Sequence, residues 1–254
     1  VLLASCDDRL EVKPTQSIDQ SAALSTEKDV LVTLIGAYDG LQRSETYGGD
    51  IMTLSELYAN DEDIFFTGTF ANLSDVWNNE IVSTNGSAED TWVWAYNTIN
   101  RTNNVLSALD KVVSDDETRA RVEGEALFIR ASMYFELVRL YAKTWDDGDN
   151  ATNPGVPLVL QPTRSITDED YLERASVADV YAQVIADLAS AEDLLPEEND
   201  IYATKAAAAA ILSRVKMMQG ATGETATQEA ALAEARDAAD RAIAYLTNEL
   251  APTF

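Results

Sequence analysis

From Thr26 onward the chain alternates between stretches in which apolar residues return every three or four positions and stretches in which they do not. Val30, Leu34, Ala37 and Leu41 form the first such stripe, and their spacing predicts an amphipathic helix capped at Thr26. The period weakens from Ser44 to about Asp90, where Gly48-Gly49, Gly68 and Gly86 stand among many Asn and the aromatics Tyr47, Tyr58, Phe65, Phe66, Phe70 and Trp77. This predicts a long irregular segment of the kind that often carries function.

Helical period returns in TWVWAYNTINRTNNVLSALDKV, with Trp92, Tyr96, Ile99, Asn103 and Leu106 on one face. After the break VSDDE it resumes in TRARVEGEALFIRASMYFELVRLYAKTW, where Val122, Ala126, Ile129, Met133, Leu137 and Tyr141 repeat at the same spacing. So short a break predicts an antiparallel hairpin. A proline-bearing loop over 146–170 leads to a third long helix, with Ser176 as its cap and Pro196 just past its end. Two alanine-rich helices follow around the turn from Gly220 to Gly223, and their small side chains allow close approach. The expected fold is all-α: tetratricopeptide-like stacked helical hairpins with long irregular loops, or an irregular bundle of the same helices.

Composition narrows the function. Apolar residues make up 46% of the 254, enough for a sizeable core. Eighteen Lys and Arg face 44 Asp and Glu, a formal charge of −26. Such a surface repels phosphate, so nucleic acid is not an expected partner. The acidity reads as solvated helix faces or, with Arg outnumbering Lys twelve to six, as adaptation to salt.

The one cysteine, Cys6, ends the run Leu3-Ala4-Ser5-Cys6, an apolar residue and two small ones before the thiol. This resembles a bacterial lipobox. It assigns 1–6 to a signal-peptide remnant, Cys6 to lipid attachment and the polar 7–25 to a tether, leaving 26–254 as the helical domain.

The helices themselves resemble the SusD/RagB family of outer-membrane lipoproteins. WVWAYNTINRTNNVL is similar to the family's Trp-x3-Tyr-x2-Ile-x3-Asn helix, here Trp92, Tyr96, Ile99 and Asn103. GEALFIRASMYFELVRLYA resembles its most recognisable helix through Glu125, Phe128, Arg130, Ala131, Tyr134, Phe135, Leu137 and Tyr141. GVPLVL, RASVADVYAQVIADLASAEDLLP and ATKAAAAAILSRVKM match the following segments in order.

The resemblance implies a cell-surface protein that captures glycan fragments and delivers them to a TonB-dependent outer-membrane transporter, held to the membrane by a lipid anchor at Cys6. Members that capture oligopeptides keep a peptide ligand open, and stacked hairpins also suit a protein-interaction scaffold. Family members are longer, which implies that 26–254 is incomplete at its C-terminus. The loop from Lys143 to Asn153 is also expanded relative to the family.

Candidate chemistry follows from residue types. A chain without histidine, and with its thiol assigned to lipid, lacks Ser-His and Cys-His pairs. No catalytic residue, cofactor or metal is assigned, although a hydrolase using two of the many carboxylates stays open as a lesser alternative. DEDIFF and WDDGDN gather oxygen ligands without EF-hand spacing and read as solvated acidic loops. Glu125, Arg130, Tyr134 and Asn103 read as structural. Sugar binding needs an aromatic face and nearby amides or carboxylates, and the irregular segment supplies both. The expected glycan-binding residues are Tyr47, Tyr58, Asn60, Asp61, Trp77, Asn78 and Asn79. For Trp77, stacking on sugar and pinning the loop to the core stand as equal readings; Phe65 and Phe66 read as loop pins.

Overall fold

The computed structural model describes residues 24–59, 64–164, 168, 171–221 and 224–246. The lipobox at 1–6, with Cys6, and nearly all of the 7–25 tether lie outside the described residues, as do Asn60 and Asp61. Among the described residues there are eight helices and no strand: α1 Glu27–Gln42, α2 Asp50–Ala59, α3 Ala71–Trp77, α4 Gly86–Val112, α5 Asp116–Tyr141, α6 Val177–Leu194, α7 Lys205–Gln219 and α8 Ala226–Ala244.

Six of these helices form a serial stack in which α1 packs on α4, α4 on α5, α5 on α6, α6 on α7 and α7 on α8. This is the expected all-α, tetratricopeptide-like arrangement. Local chemistry sets the helix starts. Thr26 caps α1 in a reciprocal capping box with Asp29, and Asn85, Asp115, Ser176, Thr204 and Thr225 each accept from a first-turn amide of their helices.

The region expected to be irregular contains two short helices, α2 and α3. Ile51, Leu54 and Leu57 recur at three-residue spacing on α2 and are buried, but ten residues carry too little period to stand out from the polar chain around them. These helices leave the stack between α1 and α4 and pack mainly on each other.

The core centres on α5, which is buried on nearly every side from Glu125 to Val138. A helix apolar all round needs no explanation in such a place, but α5 also buries Glu125, Arg130 and Glu136, and each of these is paired. Arg130 donates to both carboxylate oxygens of Asp187 on α6 at 2.7 and 2.8 Å and to Asn103 Oδ1 on α4 at 3.0 Å. Glu125 accepts from Arg121 at 2.6 Å and from Asn199 at 3.1 Å. Glu136 accepts from Arg139 and from the Tyr47 hydroxyl, the latter at 3.0 Å.

An extended strap, 156–163, crosses α4 and α5 and takes its backbone partners from their side chains. Tyr96 donates to Pro157 O at 2.8 Å, and the Tyr134 hydroxyl both donates to Val159 O at 2.9 Å and accepts from Val159 N at 2.7 Å. Asn103 donates to Val159 O and Gln161 O, and Asn100 exchanges both its amide groups with Thr163. Tyr96, Asn100 and Asn103 share a face of α4, so three successive helical positions replace the missing neighbouring strand. Gly155, at the start of the strap, lies against the 175–176 backbone so closely that a Cβ would come within 2.9 Å of two carbonyl oxygens.

Candidate functional site

Helix α2 and the chain after α3 form one side of an aromatic cleft. Leu54 and Leu57 of α2 pack with Val76 of α3, and Phe66, Leu73, Trp77, Ile81 and Leu140 gather around them. Tyr58 follows Leu57 and therefore points about 100° away from the buried face, where it is 50% exposed. Opposite it, Trp92 of α4 meets Tyr141 of α5 edge to face at 5.1 Å and Tyr96 at 4.9 Å. Tyr141 is tied down by its hydroxyl, which donates to Ala88 O at 2.6 Å, and burial pushes that phenol above its ordinary pKa.

Between these walls lies a cleft of ≈ 460 Å³. Tyr58, Trp92, Tyr141, Ile81, Val82 and Leu140 form its apolar lining, and Ser83 and Glu89 stand on it as polar groups. A smaller hollow of ≈ 190 Å³ lies on the other side of Tyr58, sharing Tyr58 and Leu140 and bounded by Ser55, Ala59, Arg139 and Met218. Among the described residues, Glu89 is the one carboxylate lining either space.

The expected glycan-binding residues fall in different places. Tyr58 lines the cleft. Trp77 does not line it; it is half-buried in the cluster beneath, beside Ile81 and Leu140, which do. Asn78 and Asn79 are exposed past the end of α3, where Asn78 donates to Ser74 Oγ at 3.3 Å and Asn79 takes a left-handed φ of 56°. Tyr47 is held by Glu136, and burial, followed by that carboxylate's charge, raises its phenol pKa well above the usual value. Its ring lines a separate hollow of ≈ 560 Å³ with Tyr38 and Tyr202, whose rim is formed by the exposed Ile35 and Ile201. Asn60 and Asp61 lie outside the described residues. Of the two phenylalanines, Phe66 packs on the α2–α3 cluster, whereas Phe65 is 65% exposed and does not act as a pin.

Trp92, Tyr141, Ser83 and Glu89 were not among the expected residues. The first two carry helical period and read as core; both are only partly buried, and they share the cleft with residues 81–83 that follow α3. In the acidic loop WDDGDN, Asp146 accepts from Gln228, Asp147 pairs with Lys143 and Asp149 accepts from the Ala151 amide.

A serial stack of antiparallel helices with an aromatic-walled cleft beside it defines a tetratricopeptide-like protein. Comparison with known proteins narrows this class. A family model described as SusD-like, "Starch-binding associating with outer membrane", matches residues 8–217, and the chain belongs to that family. Among curated relatives, SusD-like protein P2 of Formosa agariphila is 29% identical over 222 residues, covering 86% of this chain and 41% of that protein. SusD-like protein P38 of the same organism is 26% identical, covering 79% and 36%. The chain thus spans about two fifths of the length of these relatives.

Solved structures agree on the fold. A SusD superfamily protein from Bacteroides thetaiotaomicron superposes with a TM-score of 0.71 at 24% identity, covering 86% of this chain and 46% of that one. A structure described as a laminarin binding SusD-like protein gives 0.63 at 25% identity, covering 82% and 42%.

Proposed function

We propose that the Tyr58–Trp92–Tyr141 cleft binds glycan fragments without turning them over, and that the protein passes them to a TonB-dependent transporter while anchored in the outer membrane by lipid at Cys6. The observation that carries the reading is the cleft itself. Its aromatic rings offer flat apolar faces for the C–H surfaces of sugar rings, and Ser83 and Glu89 offer partners for hydroxyls. The family description and the laminarin-binding relative support a glycan ligand. Binding without hydrolysis is supported by the family's description as starch-binding. The anchor rests on the Leu3-Ala4-Ser5-Cys6 pattern and on the family's association with the outer membrane.

Tryptophan fluorescence titration with starch- and laminarin-derived oligosaccharides tests the site, because Trp92 lines it. Tyr58→Ala removes a half-exposed ring, and a thermal melt checks that the variant is folded. Loss of about 1.5–3 kcal/mol of apolar contact corresponds to a weakening of roughly 10- to 150-fold. Unchanged affinity in a folded Tyr58→Ala variant would rule the cleft out. Labelling with a fatty-acid probe, compared between wild type and Cys6→Ala, tests the anchor.

A further inference from the structure

We infer that the tyrosine-lined hollow between α1 and the α6–α7 connection is a docking surface for a partner protein, and that the segment it accepts sets an aliphatic or aromatic side chain beside a basic one. The inference stands apart from the glycan reading, since this space of ≈ 560 Å³ shares no lining residue with the Tyr58 cleft. Tyr38, Tyr47 and Tyr202 line it. The Tyr38 hydroxyl accepts from the Ala203 amide and the Tyr47 hydroxyl donates to Glu136, so the fold takes up these two polar tips and leaves the hollow their ring surface. Ile35 and Ile201 stand exposed at its edge, and Val32, one turn before Ile35 on α1, is exposed beside them. Aliphatic side chains gathered around an aromatic hollow suit a protein contact. Sugar hydroxyls would find no partner on such a rim.

Ile201 is the centre of this surface. At 82% it is the most exposed large apolar side chain among the described residues, yet the chain on both sides of it is fixed. Asn199 donates to Glu125 Oε1 at 3.1 Å and to Ala203 O at 2.9 Å, and its own carbonyl accepts from Tyr202 N at 2.9 Å. Asp200 takes a left-handed φ of 50°, which a short polar side chain tolerates, and Tyr202 packs on Tyr38 with ring centroids 4.9 Å apart. The loop thus holds an isoleucine in water at one place, where a partner gains its burial without the cost of ordering the loop. Charge identifies the complement. Asp39 is the one charged residue among the described lining residues, its side chain 55% exposed and its carboxylate 3.8 Å from Arg101. The exposed Asp200 adjoins Ile201. An acidic rim on a chain of formal charge −26 attracts a basic segment and repels a second copy of itself.

The test uses fluorescein-labelled eight-residue peptides at physiological salt: leucine alternating with lysine, leucine with glutamate, and serine with lysine. The leucine–lysine peptide is expected to bind wild type and to shift amide resonances at 35–48 and 199–203. Ile201→Ser is expected to weaken it about tenfold, through loss of a buried aliphatic side chain, and Asp39→Asn about threefold. Both positions are exposed, and a thermal melt checks that each variant is folded. Ile35→Ser, on the opposite wall, is expected to weaken binding in the same way as Ile201→Ser. Equal binding of the leucine–glutamate peptide overturns the basic complement. Serine–lysine binding as tight as leucine–lysine and untouched by Ile201→Ser reduces the effect to bulk charge and overturns the docking surface. Failure of all three peptides to bind overturns it as well. So does a concentration-dependent dimer in sedimentation velocity that Ile201→Ser abolishes, because the occupant is then a second copy.

Discussion

Asp187→Ala removes the carboxylate that Arg130 grips across the α5–α6 contact. The two side chains are 9% and 5% exposed, so the arginine left behind is a buried charge with no counterion. Asp187 accepts two charge-assisted hydrogen bonds from Arg130, at 2.7 and 2.8 Å, and a third from Gln183 at 2.8 Å. Breaking a buried pair from one side costs about 3–5 kcal/mol, most of it the penalty of the stranded charge rather than the worth of the pair. At about 2–4 °C per kcal/mol for a domain of this size, Tm falls by roughly 6–20 °C.

The penalty of the stranded charge differs from the pair energy, and a double-mutant cycle exposes the difference. Replacing both partners by apolar residues, Arg130→Met with Asp187→Leu, is expected to cost less than Asp187→Ala alone. Arg130 also orients Asn103, which holds Val159 O and Gln161 O of the strap, so Asp187→Ala is expected to speed hydrogen exchange at the Val159 amide. Urea unfolding of wild type, Asp187→Ala, and the cycle completed by Arg130→Met, Asp187→Leu and their double variant supplies the energies. A loss below about 1 kcal/mol for Asp187→Ala, or strictly additive effects in the cycle, refutes the argument.

Three further outcomes follow from close contacts, capping and charge. A Cβ on Gly40 would stand 2.2 Å from Thr98 Oγ1 where α1 meets α4, so Gly40→Ala is expected to destabilise by about 1–3 kcal/mol, with Thr98→Ala relieving part of the cost in urea unfolding. Thr225 and Gln228 form a capping box at the start of α8, and Thr225→Ala is expected to cost about 1 kcal/mol, seen first as faster amide exchange in that helix's opening turn. Glu192 accepts from Arg241 of α8 at 2.6 and 2.9 Å, and those bonds hold its pKa below the ordinary glutamate value. Because the folded form is the stronger acid, this contribution is complete above the unfolded pKa of about 4.3 and fades as pH falls through the lower folded value. Urea midpoints measured from pH 6 downward are therefore expected to fall less steeply in Glu192→Gln than in wild type.

The long helices were legible because each carries a stripe whose period outlasts several turns. The stripes on α1, α5 and α6, and the caps at Thr26 and Ser176, all stand where the pattern put them. The structural reading of Arg130, Glu125, Tyr134 and Asn103 also holds, because each is buried and partnered within the helical core. The short helices α2 and α3 escaped because ten and seven residues give a periodic signal little room. Phe65 is exposed where its apolar character predicts a pin, because on a surface loop that character alone does not say which of two adjacent aromatics turns inward.

By itself the sequence determined the fold class, the order of the long helices and the family, since these depend on local period, capping and an ordered run of motifs. Only the tertiary structure decided who meets whom. Arg130 and Asp187 are 57 residues apart, and the Tyr58 cleft draws on α2, α4, α5 and the chain between α3 and α4. The reason is that a helical period tells a side chain to face inward without naming its partner. Partners are set by how helices pack, and packing depends on volumes and donors from the whole chain at once. Thus Trp92 and Tyr141 carry the same periodic mark as core residues, and only the stack's geometry leaves their rings half-open on a cleft.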